Sequence, residues 1–286
     1  MTEKVVLSNQ NLDALLACPE CKTCFVKIVS GTNRCDGCGL VFQKTNSQKY
    51  IFNEVCTSSN KAIKTFSPNK AEIKNKNWRF VNYETVNNWV KSLHKDSLIM
   101  DLGSGPLTNA SLFQGKNVVF VDGTSFDGVN VVTDFSLSLP FTPNTFDAVL
   151  CSNVLEHLYD PIIFLQQTYR SLKPGGQALF LIPFVIKLHQ APRDFYRYTS
   201  FGLQTMAQKT NFSSCEIIEL GGISNIKGAL YCSDVEVTTH WADKFLMALE
   251  RSIWRLRRLI FGDTVNKNMP QGYAMYLTKD KIMEEN

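Results

Sequence analysis

The chain has 286 residues, enough for one or two domains with a full apolar core. Apolar residues make up 44% and charged residues 20%, which excludes collagen-like, coiled-coil and largely disordered chains. The net charge of +4 is too small to indicate a nucleic-acid or acidic-membrane partner by itself. Since the sequence shows neither a bilayer-spanning apolar run nor the basic start of a signal peptide, we expect a cytoplasmic protein.

Cysteines are concentrated near the N-terminus, where five of the nine lie between positions 18 and 38. Two Cys-x-x-Cys pairs, Cys18/Cys21 and Cys35/Cys38, are separated by thirteen residues, a spacing that brings four thiolates onto one tetrahedral Zn²⁺. A site closed by four thiolates has no open position for water or substrate, so we expect a structural zinc. Cys24 is a spare thiol or a competing ligand, and free buried cysteines are the alternative to a metal site.

The segment Leu15 to Phe42, with LLACPECK followed by RCDGCGLVF, resembles the small zinc-ribbon family that includes the activator subunit of tRNA and protein methyltransferases. This resemblance is carried mostly by the cysteines and implies a ribbon, which we place at 13–45. The following stretch, 46–77, is rich in Asn, Ser, Thr and Lys, a composition typical of a linker. The sequence thus predicts a boundary between the ribbon and the rest of the chain.

The remainder of the chain has the pattern of an α/β domain. An amphipathic helix is predicted over 78–93, and short apolar runs then alternate with turn signals and helical patterns. Such runs, separated by crossovers, are typical of a parallel sheet with both faces covered. We expect a Rossmann-like, doubly wound, mostly parallel seven-stranded sheet over 78–280, with a helical insertion at 223–270. The predicted strands cover 98–100, 118–121, 129–132, 148–151, 178–182, 214–220 and 273–278, and a crossover helix covers 161–172.

Acidic residues follow three successive predicted strands. The sequence Asp101-Leu-Gly-Ser-Gly105 comes directly after the first strand, where ligands bind in a doubly wound sheet. Asp122 ends the second strand, a position from which a carboxylate accepts hydrogen bonds from ribose hydroxyls. Asp134 follows the third strand, where a carboxylate can accept a hydrogen bond from the exocyclic amine of adenine. The three acids together predict a nucleoside pocket. A dinucleotide-binding dehydrogenase is the rival, but Thr108 replaces the last glycine of its motif.

The motifs around these acids resemble those of class I S-adenosylmethionine-dependent methyltransferases of the type 11 group. They are DLGSG, FVDG, FDAVLCSNVLEHL and SLKPGGQALFLIPF, and the similarity extends roughly from Leu98 to Gly221. The resemblance implies S-adenosyl-L-methionine as cofactor, with the methionine end at the first acid and its glycines, the ribose at the second acid and the adenine at the third. The implied cofactor contacts are Asp101, Gly103, Gly105, Asp122, Asp134, Phe135 and Ser152. Pro106-Leu107 in place of a third glycine and a short connection at 123–129 imply a more open pocket.

Methyl transfer needs an acceptor held in line with the methyl carbon and a base for its proton. The candidate catalytic bases are His189, after the fifth predicted strand, and His157, after the fourth, although His157 has helix packing as an alternative role. The tract 189–199 is unusually polar and aromatic for a connecting loop and is predicted to contact the acceptor. The predicted acceptor contacts are Arg193, Asp194, Tyr196 and Arg197. The alternative is a hydrogen-bond network that only holds the loop.

A predicted helix at 241–260 is amphipathic and basic. Its apolar stripe and its opposite basic face are formed by Trp241, Phe245, Leu249, Ile253, Leu256 and Ile260, and by Arg251, Arg255 and Arg258. Such a helix suits an anionic membrane surface, a phosphorylated or nucleic-acid substrate, or a second subunit. A lid packed on the pocket with its charges in water is the remaining interpretation.

These features predict a methyltransferase that uses S-adenosyl-L-methionine and holds a structural Zn²⁺. The residues after the fourth predicted strand, Cys151-Ser-Asn-Val154, lack an Asn-Pro-Pro-Tyr-type amine-methylating motif, which favours an oxygen acceptor. The HxAPxDFYRYT segment resembles bacterial-type methyltransferases that modify surface glycans or small metabolites, so we expect a small-molecule or glycan acceptor. The alternatives are an RNA or protein methyltransferase that recruits its substrate through the ribbon, and a binding module that holds cofactor without turnover.

Overall fold

The computed structural model describes most of the chain in one continuous stretch, residues 77–223. Around it, the described residues are 12–22, 34–45, 49–52, 62, 64–70, 73, 225–226, 269–281 and, within a helix, 245, 248–250, 252–253, 256–257 and 259–260. Cys24 and the basic face of the helix at 241–260 lie outside the described residues.

The described residues form a nine-stranded sheet in the order β1-β2-β5-β4-β3-β6-β7-β9-β8. Neighbouring strands from β2 to β7 are parallel, whereas β1, β8 and β9 pair antiparallel with their neighbours. The strands are β1 (Gln43–Lys44), β2 (Tyr50–Ile51), β3 (Leu98–Leu102), β4 (Asn117–Asp122), β5 (Val131–Val132), β6 (Phe146–Ser152), β7 (Leu172–Pro183), β8 (Ser214–Leu220) and β9 (Gly272–Thr278).

Three capped α-helices accompany the sheet: α1 (Trp78–Ser92), α2 (Pro161–Ser171) and α3 (Ser200–Gln208). The side chains of Asn77, Asp160 and Thr199 accept hydrogen bonds from first-turn backbone N–H groups of these helices. Single 3₁₀ turns lie at Asp13–Leu15, Ala110–Phe113 and Leu155–His157. The predicted α/β fold is confirmed, with the seven predicted strands at β3 to β9.

Both faces of the sheet are buried, as expected for parallel strands. In β4, Val118 and Phe120 join one apolar cluster, whereas Val119 and Val121 join the other. Helix α1 packs on the first cluster, and helices α2 and α3 pack on the second. Since apolar side chains occupy both faces, the polar groups of these strands are found where the strands end.

Part of the predicted linker belongs to the sheet. Tyr50 and Ile51 form β2 and pair in parallel with Val131 and Val132 of β5. Phe52 is also buried in the core. The prediction of a linker over 46–77 is therefore wrong for these residues, because a run of only three apolar residues in a polar stretch gave little indication of a strand. The division of the rest of the chain into domains remains a prediction.

The cysteine segment is also fastened to the sheet domain. The Ala17 N–H donates to the Pro140 carbonyl at 3.0 Å, and the Thr142 N–H donates to the Leu15 carbonyl at 2.9 Å. Leu16 is fully buried in the main apolar cluster. The cysteines that flank these contacts are thus held against the chain that follows β5.

The described part of the predicted insertion at 223–270 includes helical residues between 245 and 260. The apolar stripe members Phe245, Leu249, Ile253, Leu256 and Ile260 are exposed, with exposed fractions from 49% to 64%. The described residues of this stripe therefore do not pack as a lid on the pocket. Within the described part of the chain, no helix combines the length and the hydropathy needed to cross a membrane.

Replacing Gly272 with Ala should destabilise the fold by about 2 kcal/mol, within the usual range for overpacking. A Cβ at this position would lie 2.3 Å from Trp78 Cη2 and 2.5 Å from the Ile182 carbonyl oxygen. The matched control is Gly202→Ala in α3, where the added Cβ meets only Thr199 Oγ1 at 3.6 Å and should stabilise by up to about 1 kcal/mol. Urea denaturation measures both changes, and an unchanged G272A midpoint would contradict this packing.

Candidate cofactor and acceptor site

The glycine turn after β3 uses its two glycines differently. Gly103 has a φ of +84°, and a Cβ there would lie 2.2 Å from Val154 Cγ2, so the chain after β6 leaves no space for a side chain. Gly105 has a φ of +54°, but its Cβ position meets only Thr108 Oγ1, at 3.8 Å. Gly103 therefore serves packing, and Gly105 leaves an open backbone surface that a ligand can approach.

Asp122, at the end of β4, holds this turn in place. Its Oδ2 accepts a hydrogen bond from the Gly105 N–H and its Oδ1 accepts one from the Thr124 N–H, both at 2.8 Å. Burial raises the pKa of the Asp122 carboxyl, and the backbone hydrogen bonds oppose that shift. The sequence predicted only a ribose contact for Asp122. This second role could not be predicted, because the spacing of seventeen residues between Gly105 and Asp122 does not indicate a contact.

Asp101 is buried at the end of β3 without any compensating contact. The residue is 1% exposed, and neither carboxylate oxygen has a hydrogen-bond partner among the described residues. Burial, and secondarily the charge of Asp122, raise the pKa of Asp101 to about 8. Because buried polar groups in native proteins are nearly always satisfied, this carboxyl fits a ligand that supplies a hydrogen-bond donor.

The remaining predicted cofactor residues lie at the same edge. Asp134 follows β5, and its Oδ1 accepts a hydrogen bond from the Ser136 N–H at 2.8 Å. Phe135 packs on Phe164 of α2, with the ring centroids 5.5 Å apart. Ser152 ends β6, and its hydroxyl oxygen accepts a hydrogen bond from Asn153 Nδ2 at 3.0 Å. Their contacts with a cofactor remain predictions.

Glu156 was not anticipated from the sequence, yet it lies between the two predicted histidines. His157 Nε2 and His189 Nε2 are each 3.6 Å from Glu156 Oε1, and the two imidazole centroids are 4.6 Å apart. The Glu156 side chain is 0% exposed, and its oxygens have no hydrogen-bond partner in the described structure. The signal in the sequence was its place next to His157 in an otherwise apolar turn.

Cys151 lies fully buried in β6. Burial, followed by the charges of Glu156 and Asp101, raises the pKa of this thiol well above its ordinary value. Both carboxyl groups thus influence the same buried side chain.

Two predicted acceptor contacts are engaged with each other. The Arg197 guanidinium pairs with both oxygens of Asp194, which lowers the pKa of the Asp194 carboxyl below its usual range. Asp194 Oδ2 also accepts a hydrogen bond from the backbone N–H of His189 at 2.9 Å and lies 3.3 Å from the ring nitrogen Nδ1 of His189. The interaction of His189 with Glu156 raises the pKa of the imidazole. Asp194 and Arg197 thus form a hydrogen-bond network that holds the loop, which was the alternative to a role in acceptor contact.

The other two predicted acceptor contacts also hold the loop. The Arg193 carbonyl accepts a hydrogen bond from His157 Nδ1, and the Tyr196 hydroxyl donates to the Tyr159 carbonyl at 3.2 Å. A pocket of about 360 Å³ opens beside this network. It is lined by Phe184, Val185, Ile186, Leu188, Asp194, Phe195, Tyr196 and Arg197. A mostly apolar pocket with a few polar groups suits a small organic molecule.

Residues 88–180 match a family model described as "Methyltransferase domain". This part of the chain resembles a methyltransferase domain. It contains the glycine turn, Asp122, Asp134 and the Glu156–His157 pair, whereas His189 and the pocket lie beyond its matched range. The cysteine cluster also lies outside it.

Curated proteins also match a part of this chain. The ubiquinone biosynthesis O-methyltransferase of Pseudomonas savastanoi pv. phaseolicola is 32% identical over 81 residues, which are 28% of this chain and 32% of that protein. The enzyme of the same name from Pseudomonas putida strain GB-1 is 33% identical over 81 residues, with the same coverage. The chain thus spans about a third of the length of the curated relatives it matches.

Two solved structures resemble the fold. A SAM-dependent methyltransferase from Archaeoglobus fulgidus matches with a TM-score of 0.46 and 18% identity, over 73% of this chain and 97% of that one. Haemonchus contortus phosphoethanolamine N-methyltransferase 2, in complex with S-adenosyl-L-methionine, matches with a TM-score of 0.43 and 15% identity, over 70% and 52% of the two chains. At this level of similarity, neither structure bears on the activity of this chain.

Binding of S-adenosyl-L-methionine should release a proton at pH 7. With a pKa near 8, Asp101 is mostly protonated before binding, and the ammonium group of the ligand favours the carboxylate. Affinity should therefore rise as the pH increases from 6 to 8. Calorimetry in buffers of different ionisation enthalpy measures the released protons. Asp101→Asn should abolish the release, and an equal release by this variant would contradict the assignment.

Proposed function

We propose that the chain is an S-adenosyl-L-methionine-dependent methyltransferase that methylates an oxygen of a small-molecule or glycan-type acceptor. The observation that carries this proposal is the buried, unpartnered Asp101 carboxyl beside the open backbone of Gly105. The match of residues 88–180 to a methyltransferase domain supports it. The O-methyltransferase name of the partial relatives agrees with an oxygen acceptor.

Each part of the cofactor has a group that suits it. Asp101 would accept a hydrogen bond from the methionine ammonium, which satisfies the buried carboxylate. Asp122 would accept from the ribose hydroxyls with the lone pairs left after its two backbone hydrogen bonds. Asp134 and Phe135 would border the adenine. When bound, S-adenosyl-L-methionine supplies the methyl group, and its sulfur keeps the electron pair of the broken carbon–sulfur bond.

The acceptor would approach from the side of His157 and His189. His189 is linked to the apolar pocket through Asp194, which lines that pocket and contacts His189, and Glu156 faces His189. A hydroxyl entering the pocket would meet these polar groups near the cofactor. They would orient the hydroxyl and assist the loss of its proton.

We also propose a structural Zn²⁺ bound by Cys18, Cys21, Cys35 and Cys38. The Sγ atoms of Cys18 and Cys38 are 3.6 Å apart, those of Cys21 and Cys35 are 3.5 Å apart, and all four lie within 4.8 Å of one another. Four thiolates at about 2.3 Å from a tetrahedral zinc lie about 3.8 Å apart. The four side chains thus fit the metal without rearrangement of the backbone.

Purified protein incubated with radiolabelled S-adenosyl-L-methionine and fractionated cell extract should label a low-mass or glycan fraction. His189→Ala should lower the transfer by about 100-fold or more while cofactor affinity stays nearly unchanged, because this side chain would face the acceptor and not the cofactor. The surface variant Asp96→Asn is the active control, since Asp96 is exposed. Label in RNA or protein would show that the proposed acceptor is wrong, and cofactor binding without any labelled fraction would favour the non-catalytic binding module.

Zinc should co-purify with the chain at one ion per cysteine cluster, and the double variant C35S/C38S should lose it. Affinity for S-adenosyl-L-methionine should fall as well, because Ala17, next to Cys18, is hydrogen bonded to Pro140 near the predicted adenine side. Cys215→Ser, in β8, is the matched thiol control and should keep both properties. Elemental analysis and calorimetry check the result, and a folded wild-type chain without metal at this cluster would exclude the zinc site.

A further inference from the structure

We propose that Glu156, His157 and His189 bind a divalent transition-metal ion that holds an oxygen atom of the acceptor. The metal site stands on the geometry of these three side chains, and only the role of the ion toward the acceptor rests on the proposed function. This site is separate from the cysteine cluster, which belongs to the N-terminal segment.

Glu156 is buried and lacks hydrogen-bond donors in the described part of the chain. Its carboxylate is 0% exposed, and both oxygens lack a hydrogen-bond partner among the residues that the structure describes. Burying a carboxylate without a partner is costly, and native proteins compensate it with a cation or with donors. The two groups that face this carboxylate are the imidazoles of His157 and His189, each with Nε2 at 3.6 Å from Oε1.

The imidazole rings of His157 and His189 are both oriented with Nε2 toward Glu156. His157 Nδ1 lies against the Arg193 carbonyl oxygen, which can only accept, so this nitrogen carries the proton. His189 Nδ1 faces the Asp194 carboxylate at 3.3 Å, and Arg197 holds that carboxylate in place. The other nitrogen of each ring, Nε2, faces the Glu156 carboxylate. Metal-binding histidines in proteins have this arrangement, with the second ring nitrogen donating to a carbonyl or a carboxylate.

The distances between the three candidate ligand atoms, and their chemistry, suit a transition-metal ion. Ligands at 2.0 to 2.2 Å from one tetrahedral ion lie about 3.4 Å apart, close to the observed 3.6 Å. The three ligand atoms lie within 4.8 Å of one another, so a small side-chain adjustment completes the site. Two imidazoles and one carboxylate suit Mn²⁺, Fe²⁺ or Zn²⁺ better than Mg²⁺ or Ca²⁺, which prefer oxygen ligands.

The ligand count separates this site from the cysteine cluster. Three protein ligands leave at least one open coordination position, whereas four thiolates leave none. An acceptor hydroxyl could occupy an open position and be polarised there. A hydroxyl with a second oxygen nearby would bind best, since two oxygens can coordinate together. The acceptor class is therefore a vicinal diol or hydroxy acid that fits the neighbouring pocket.

Titration of the zinc-loaded, full-length chain with Mn²⁺ tests the site. Thiolates already occupied by zinc do not take Mn²⁺, and the signal of free Mn²⁺ in electron paramagnetic resonance falls as the ion binds. We expect one Mn²⁺ per chain in the wild type. Glu156→Gln and His189→Asn should each weaken Mn²⁺ binding by at least about ten-fold. His94→Gln, which changes an exposed histidine outside the proposed site, should leave Mn²⁺ affinity unchanged.

Circular dichroism and cofactor calorimetry on the same variants establish that they are folded. Failure of the wild type to bind Mn²⁺, Co²⁺ or Zn²⁺ at this site at millimolar concentration would overturn the proposal, leaving an imidazolium paired with Glu156 as the explanation. Equal Mn²⁺ affinity of the folded Glu156→Gln variant would overturn it too. Metal binding without cofactor binding would instead count against the proposed methyltransferase activity, so the two failures are distinguishable.

Discussion

Parallel pairing of β3 with both β4 and β6 is the constraint on which the candidate sites depend. Asp101 is in register with Phe120 of β4 and Leu150 of β6, so the three strands end at one edge of the sheet. Because apolar side chains cover both faces, this edge is where polar groups can be accommodated. The glycine turn, Asp122 and the turn that carries Glu156 all lie there as a consequence.

This edge has a part that is complete and a part that depends on ligands. Asp122 already accepts two backbone hydrogen bonds, so the glycine turn is held before anything binds. Asp101 and Glu156 are more deeply buried than Asp122 but have no such donors in the described structure. Their burial is unfavourable for the isolated chain and becomes favourable with a cation or donor beside each. The two groups thus identify where the ligands belong.

The sequence predicts the central sheet because its strands are continuous apolar runs separated by clear turns. It misses β2, because the run Tyr50-Ile51-Phe52 is short, lies among polar residues and becomes buried only through contacts far along the chain. It identifies His157 and His189 but not Glu156, because a single Glu in a helical turn is normally a solvent-exposed residue. The pairing of Asp194 with Arg197 was open to prediction from their i, i+3 spacing, whereas the contact with His189 was not.

The cysteine segment is connected to the cofactor side through the loop after β5. Ala17 donates to the Pro140 carbonyl on one side of this loop, and Arg170 of α2 donates to the Leu139 and Phe141 carbonyls on the other. The loop therefore has two anchors, one on a rigid helix and one on the turn that begins at Cys18. Without a metal, four thiols must hold that turn through packing alone, and the anchor weakens. The proposed zinc would thereby be linked to the affinity for the cofactor.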